Sequence, residues 1–417
     1  MKRLVKLSLA TSVALASFSC ANAQDLEQAI KNVDVSGTVA YRYNDYEESA
    51  AESDSSVSNN YKIGLNLKSK VNDDVTANTR FIVGTTTNAG NVSLDTQSSG
   101  DGQVDVTLSE VNFTYTGIAN TSITVGKQGL ATPFTVHRDA MDNEQTGTGI
   151  LAITNVGPVT LAGAYFNQTN LGESGALNDP YSDGKYNGVI KNTKGTSSDK
   201  DTIAKNNNDY GNEIGSKNIV TIGAMVNIAG INADAWYIDM DDVFDAYTIG
   251  LAAKYNVGDV KLAPYARYSS LDLDDSSADN KLWKLGMRAN MGIFGAHLGY
   301  GQTDDEGGIV DLDGSSTTGY DEHWNVTLSG QADSSVVYAS VDAQVMPKLN
   351  VALKYSDLDD DTSAKQDERE IYTQITYNMS KNFYGYVRFG QYEKDNEFAD
   401  NKDLDSTRGR LQVQYSF

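Results

Sequence analysis

From Val33 onward the chain alternates. Val33, Val35, Val39, Tyr41 and Tyr43 share one face of an extended segment, with Asp34, Ser36, Thr38 and Arg42 on the other. Tyr61, Ile63, Leu65 and Leu67 repeat the pattern against Lys62, Asn66 and Lys68, and Val75, Ala77, Phe81 and Val83 repeat it against Asn78 and Arg80. The chain ends in the same way. Leu411, Val413, Tyr415 and Phe417 fall on one side, and Arg410, Gln412, Gln414 and Ser416 on the other. A period of two predicts strands, and a last strand that is apolar outside, polar inside and closed by an aromatic matches the wall of a transmembrane β-barrel. An edge strand of a soluble sandwich has the same local pattern, so the remainder of the chain has to decide.

Short connections and long polar segments alternate along the sequence. Tight turns are predicted near Asp73, Ile118–Asn120, Gly157-Pro158, Ala229-Gly230, Val257–Asp259, Met291-Gly292, Met346-Pro347 and Ser380–Asn382. Long segments follow Tyr43, Thr86, Gln128, Asn167, Met240, Ser269, Gln302, Ser356 and Tyr392. Eight turns and nine loops give 18 strands, with both termini on the short-turn side. Trp324, Val326 and Leu328 also alternate, but a nineteenth strand would put the termini on opposite sides. That segment is therefore expected to form a hairpin inside the loop after Gln302, with the next spanning strand at about Ser335–Met346. At roughly 9 to 11 residues per strand the barrel uses about half of the chain, and the rest is loop. The longest loop, about Gln168 to Ser216, is too rich in Asn, Asp, Gly, Ser and Lys to build a core of its own.

Composition then narrows the class. Lys2, Arg3 and Lys6 precede an apolar run from Leu7 to Phe18, and Ala21-Asn22-Ala23 supplies small residues for cleavage, so residues 1–23 read as a secretory signal peptide and 24–417 as one barrel domain. Cys20 lacks a Leu three residues upstream, so lipoprotein processing is not expected, and the mature chain has no cysteine. The formal charge is -23; losing three basic residues with the signal leaves 30 basic against 56 acidic residues, or -26, which argues against a nucleic-acid partner. The 24 Tyr against five Pro favour strands and interfacial girdles. An enzyme is not expected. His137, His297 and His323 are the only histidines, none stands beside a Ser in a nucleophile motif, and no Gly-rich phosphate loop precedes a helix.

The segments Leu26–Gly37 and Tyr41-Arg42-Tyr43, together with the signal region and the pair Gly126-Lys127-Gln128 and Gly147-Thr148-Gly149, resemble the Campylobacter-type major outer membrane protein family of porins. The resemblance implies a homotrimeric, 18-stranded general-diffusion porin of a Gram-negative outer membrane, with short periplasmic turns, long extracellular loops and the third loop folded into the barrel. It also implies that the terminal Phe417 is read by the barrel-assembly machinery. In some family members, carboxylates near the constriction hold calcium. Contacts with lipid and, through divalent ions, with lipopolysaccharide would follow from the location.

A barrel of this width needs something folded inward to make a constriction. The segment from Gly129 to Thr148 carries His137, Arg138, Asp139, Asp142 and Glu144, and it occupies the position of the family's third loop. Arg42, Lys62, Arg80, Arg388 and Arg410 point inward by alternation on strands 1, 2, 3, 17 and 18, which become neighbours on closure. They would face the acidic loop across a gap and set up a transverse field. A second inward stripe, Arg267, Lys284 and Arg288, lies on strands 11 and 12. Asp139 and Asp142 are the loop oxygens available to a calcium ion, which needs 6 to 8. Asp311–Gly314 and Asp357–Asp361 do not keep EF-hand spacing and read as solvated acidic surface. With the narrow region balanced and the mouth acidic, weak cation preference is expected; a substrate-specific channel and an adhesin displayed on a barrel are the competing functions.

Overall fold

The structure is a computed structural model, and it describes residues 33–48, 56–94, 104–174, 214–274, 278–362, 365–395 and 404–417. The signal peptide expected at 1–23, with Cys20, and most of the loop expected at 168–216 lie outside the described residues. Eighteen antiparallel strands close into one barrel. In chain order they are β1 Val33–Glu48, β2 Ser56–Lys70, β3 Val75–Val83, β4 Val106–Tyr115, β5 Thr121–Gly129, β6 Thr146–Val156, β7 Val159–Thr169, β8 Ile219–Ile228 and β9 Ile231–Met240. The second half comprises β10 Phe244–Ala253, resumed after Lys254 as Tyr255–Val257, then β11 Val260–Leu273, β12 Asp279–Met291, β13 Phe294–Thr303, β14 Ser334–Met346, β15 Leu349–Asp360, β16 Glu368–Asn378, β17 Phe383–Lys394 and β18 Leu404–Ser416.

Every strand pairs with its sequence neighbour, and β18 pairs back onto β1 from Thr38↔Ser416 to Glu48↔Ser406. The seam ends on a reciprocal pair of backbone bonds, Gly37 N to Phe417 O (2.9 Å) and Phe417 N to Gly37 O (3.0 Å). Closure leaves no unpaired edge, the condition for a sheet to stand in lipid. Alternation sorts the side chains as predicted. On β10, Ala246 and Thr248 are fully buried, while Tyr247, Ile249 and Leu251 are 41%, 57% and 55% exposed on the outer wall. An apolar outer surface of this extent is what a hydrocarbon environment stabilises.

All eight predicted tight turns are present. The loops depart from expectation at several places: β15 runs on past Ser356 to Asp360, and Asp311 and Asp360, expected on solvated acidic surface, are buried. After Met240 only residues 241–243 separate β9 from β10, and after Ser269 the strand runs on to Leu273, because Asp245 pairs with Asp272 and extends the ladder. Polar residues there belong to strand ends and a turn, not to long loops. The loops at the same end as these connections are called L1 to L9 in chain order; the long ones with described residues are L2 (84–105), L3 (130–145), L4 (170–218) and L7 (304–333). Trp324 to Leu328 lies inside L7 and outside the spanning set, as parity required, but it forms no hairpin strands. It is folded into the lumen instead. Val326 and Leu328 are fully buried and pack with Leu282, Val310, Tyr320 and Tyr338 against the inner wall.

Candidate functional site: the lumen constriction

L3 turns inward because its base is shaped for it. Gly126 has a φ of 123°, and a Cβ there would lie 2.4 Å from the Val111 carbonyl oxygen. At the far side of the loop, a Cβ on Gly149 would lie 2.0 Å from the Tyr165 carbonyl oxygen, beside the bulge between Thr148 and Gly149. Only glycine fits such approaches. This is the physical content of the paired glycine motif. Above the base, Leu130 and Phe134 are buried in an apolar cluster with Phe166, Ile219, Trp236, Ile238, Met240 and Phe244 from β7 to β10, and with Leu312 from L7.

The tip of L3 is held by charge. Glu144 is fully buried, and it accepts from Arg80 Nε (2.9 Å) and Nη2 (2.5 Å). Lys62, only 1% exposed, lies 3.1 Å from Glu144 Oε1 and donates to the carbonyls of Asp139 (3.0 Å) and Asp142 (2.7 Å). Arg42 Nη1 is 3.1 Å from Asp142 Oδ1. Burial pushes the Glu144 carboxyl up, but the Arg80 hydrogen bond and the charges of Lys62 and Arg80 outweigh it and hold the group below its usual range. Arg138 pairs with Glu110 and stands 3.8 Å from Glu144 Oε2. His137 packs over Gly129, where burial, with the adjacent Arg138, keeps its imidazole below the usual value.

The predicted gap between the acidic loop and Arg42, Lys62 and Arg80 is therefore closed: these three are in contact with L3 and neutralise it. The residues at the proposed calcium position do not fit that ion as placed. Asp139 Oδ1 accepts from the backbone N–H of Met141 (2.7 Å) and Asp142 (2.5 Å), and Asp142 faces Arg42. Among the described residues no group of three or more His, Cys, Asp or Glu gathers to hold a metal.

L7 is the inward-folded segment that alternation did not reveal. Leu312 N donates to Phe134 O (2.8 Å), Thr318 N to Pro133 O (2.9 Å), and Gln145 Nε2 to Leu312 O (2.5 Å), so L3 and L7 meet and bridge the lumen. The second basic stripe fastens L7: Lys284 donates to the Gly319 carbonyl, and Arg288 Nη2 lies 2.5 Å from Glu322 Oε2. Arg267 is paired with Asp234 on the wall at 2.7 Å. A cleft of about 390 Å³ between L7 and β9–β12 is lined by these already paired charges. Two further groups escaped the sequence reading. Glu370 on β16 accepts from the backbone N–H of Trp324 (3.0 Å) and Asn325 (2.9 Å), clasping L7 to the wall. Arg408, two residues before Arg410 and on its face, donates to Asn325 Oδ1 (2.7 Å).

Arg388 and Arg410 stay clear of L3. Arg388 Nε donates to Gln374 Oε1 and Arg410 Nε to Asn44 Oδ1, both at 2.7 Å. Both guanidinium carbons lie over the ring of Trp324, at 5.8 and 5.2 Å from its centroid.

Comparison with known proteins follows the same lines. A family model described as Campylobacter major outer membrane protein matches residues 1–417. Among curated proteins none matches. Similar solved structures include OpdQ of Pseudomonas aeruginosa (15% identity, 93% of this chain and 98% of that chain, TM-score 0.66). A BenF-like porin of Pseudomonas fluorescens is alike to the same degree (15% identity, 93% and 99% covered, TM-score 0.66). So is Pseudomonas aeruginosa OpdK, solved with vanillate (15% identity, 92% and 98% covered, TM-score 0.66). At such identity the likeness bears on the fold alone.

Proposed function

The chain belongs to the Campylobacter major outer membrane protein family, and on that premise we propose that this outer-membrane porin passes ions and small hydrophilic solutes by general diffusion, with a weak preference for cations. The observation that carries the reading is the neutralised constriction. Glu144 and Asp142 are matched by Arg80, Lys62 and Arg42, so no strong net charge of L3 faces the ion path. What remains is the acidic mouth, where strand ends and loops carry Asp239, Asp245, Asp272, Asp304, Asp305, Asp357 and Asp359–Asp361. Mouth charges beyond a Debye length of about 8 Å are largely screened at physiological salt, so the preference is weak there and grows as salt is diluted.

Reversal potentials under a KCl gradient test this directly. Cation preference that strengthens at low salt supports it, and anion preference persisting at low salt overturns it. Replacing Asp139 and Asp142 together by Asn frees Arg42 and shifts the pore toward anions. A homotrimer, contact with lipopolysaccharide and recognition of Phe417 by the barrel-assembly machinery complete the proposal, supported by family membership and by the place of Phe417 at the closing seam. The Phe417 ring stacks on Tyr415 (5.7 Å) in the outward row. A substrate-specific channel is the second reading, favoured by one observation: two inward loops, not one, narrow this lumen.

A further inference from the structure

Most basic side chains of the lumen have a fixed acidic or carbonyl partner. Arg42, Lys62 and Arg80 hold L3, Lys284 and Arg288 hold L7, and Arg267 is bound to Asp234. Lys354, Arg388 and Arg410 differ. Among the described residues none of the three has a carboxylate oxygen within 4 Å. They are also neighbours. Arg388 and Arg410 are direct cross-strand partners on β17 and β18, an arrangement in which like charges destabilise the pair. Lys354 and Arg388 both lie over the ring of Tyr372, at 5.9 and 5.6 Å, and Arg388 lies 4.7 Å from the centre of the Tyr386 ring.

Three carboxylates act on the patch from beyond 4 Å, each engaged elsewhere: Glu322 is paired with Arg288, and Asp321 accepts from Ser315 Oγ (3.4 Å). Glu370 spends its oxygens on the N–H groups of Trp324 and Asn325, the Asn325 side chain (2.9 Å) and Ser356 (3.0 Å). The same patch holds two buried polar groups with no hydrogen-bond partner, the Trp324 indole N–H and the Tyr372 hydroxyl. Three cations with no carboxylate in contact and an indole donor without an acceptor, on an aromatic floor, share one deficit: hydrogen-bond acceptors carrying negative charge. Guanidinium pairs meet a carboxylate through parallel N–H groups, and aromatic faces take up a flat apolar body.

From this juxtaposition we propose that Lys354, Arg388, Arg410 and Trp324 form a holding station in the lumen for small organic carboxylates with a flat apolar body. The proposal rests on the porin reading and deepens it: the mouth favours cations by its diffuse charge, while this station delays one class of anion by contact. Trp324 reaches the patch only because Glu370 clasps L7, so L7 sets the specificity of the site.

The test uses the full-length protein in planar bilayers, with potassium chloride as carrier and sodium benzoate added to one side. Brief, concentration-dependent interruptions of the current are expected with benzoate and not with added chloride. In the Arg388→Gln/Arg410→Gln variant the benzoate concentration for half-occupancy should rise roughly tenfold or more. Trp324→Ala should weaken benzoate and leave any effect of inorganic phosphate unchanged. Equal interruption in wild type and the double variant overturns the proposal, and a phosphate effect as strong as that of benzoate overturns its aromatic half. Absence of any potassium chloride conductance overturns the porin reading itself. A second readout does not depend on variants that conduct: benzoate should change the tryptophan fluorescence of the folded wild-type chain, and Trp324→Phe should abolish that change. An unchanged wild-type spectrum up to millimolar benzoate counts against the station.

Discussion

The two sides of the lumen are built from different physics. Toward β7–β10 the base of L3 sinks into an apolar cluster around Phe134, Phe166, Trp236 and Leu312. Toward β1–β3 its tip is held by Glu144 between Lys62 and Arg80. Apolar packing is non-directional and fills space, so it seats the base of L3 against the inner wall there. Buried charge pairs are directional and fix a position; their net contribution to stability is small, yet breaking one leaves a charge without compensation. Charges and aromatic rings therefore line the wall on the β1–β3 and β17–β18 side, at Arg42, Arg388, Arg410 and Trp324.

Breaking the charged side should give the largest effect. Glu144→Ala leaves the buried charges of Lys62 and Arg80 without their carboxylate, at a cost of about 3–5 kcal/mol. The L3 tip should detach, giving a lower thermal transition in detergent and larger, noisier single-channel currents. Replacing Lys62, Arg80 and Glu144 together by Met should recover most of the lost stability while the loop position blurs. If Glu144→Ala leaves both the transition and the current noise unchanged, the tip is not held by this clasp. On the apolar side, Leu130→Ala should cost about 2–5 kcal/mol, depending on how far the cluster collapses. Because packing rather than position is lost, its thermal transition should fall without the change in current noise. A smaller effect in the folded state is expected from deleting Phe417. That removes the two terminal bonds to Gly37 and the stacked ring, while assembly into the outer membrane, measured as folded yield, should fall much further.

The barrel was legible because a lipid–lumen wall writes its geometry into every second residue, and because loop parity fixes an even strand count. L3 was legible through Gly126 and Gly149, where backbone approach leaves no room for a side chain. L7 was not, because alternation at Trp324–Leu328 looks the same whether a segment crosses the membrane or folds into the lumen. A signal was present nonetheless. Ile309, Val310, Leu312, Tyr320, Val326 and Leu328 are too many apolar residues for a loop in water, and a closed barrel offers them only its interior. Arg408 was recoverable from the parity that found Arg410. Glu370 was not, since its role depends on a loop arriving from 45 residues earlier.

The two inward loops should also separate by pH. In L7, burial first and then the neighbouring Asp313 push the Asp311 carboxyl up to about 7. Burial first, with Asp139 and Asp142 adding to it, pushes Asp313 up to about 6. Both folded values exceed the ordinary carboxylate range, so between about pH 4 and 7 the folded chain binds more protons than the unfolded one. The contribution of these groups to stability is therefore fully present below about pH 4 and is lost as pH rises through 6 to 7. L7 should sit most firmly in acid. Glu144 in L3 runs the other way. Its folded value is depressed, so its contribution is present above the usual carboxylate value and is lost only as pH falls below it. Asp321 of L7 is also pushed up to about 7, by burial first and then by Glu370, so between pH 8 and pH 5 the L3 clasp stays charged while L7 loses up to three negative charges. Cation preference should weaken over that interval, with most of the change between about pH 7.5 and 5.5. Reversal potentials at pH 8, 6.5 and 5 measure it, and Asp311→Asn/Asp313→Asn/Asp321→Asn should flatten the profile at its acid level. A profile that persists in this triple variant would move the titration to the mouth carboxylates, and one that vanishes instead in Glu144→Gln would move it to L3.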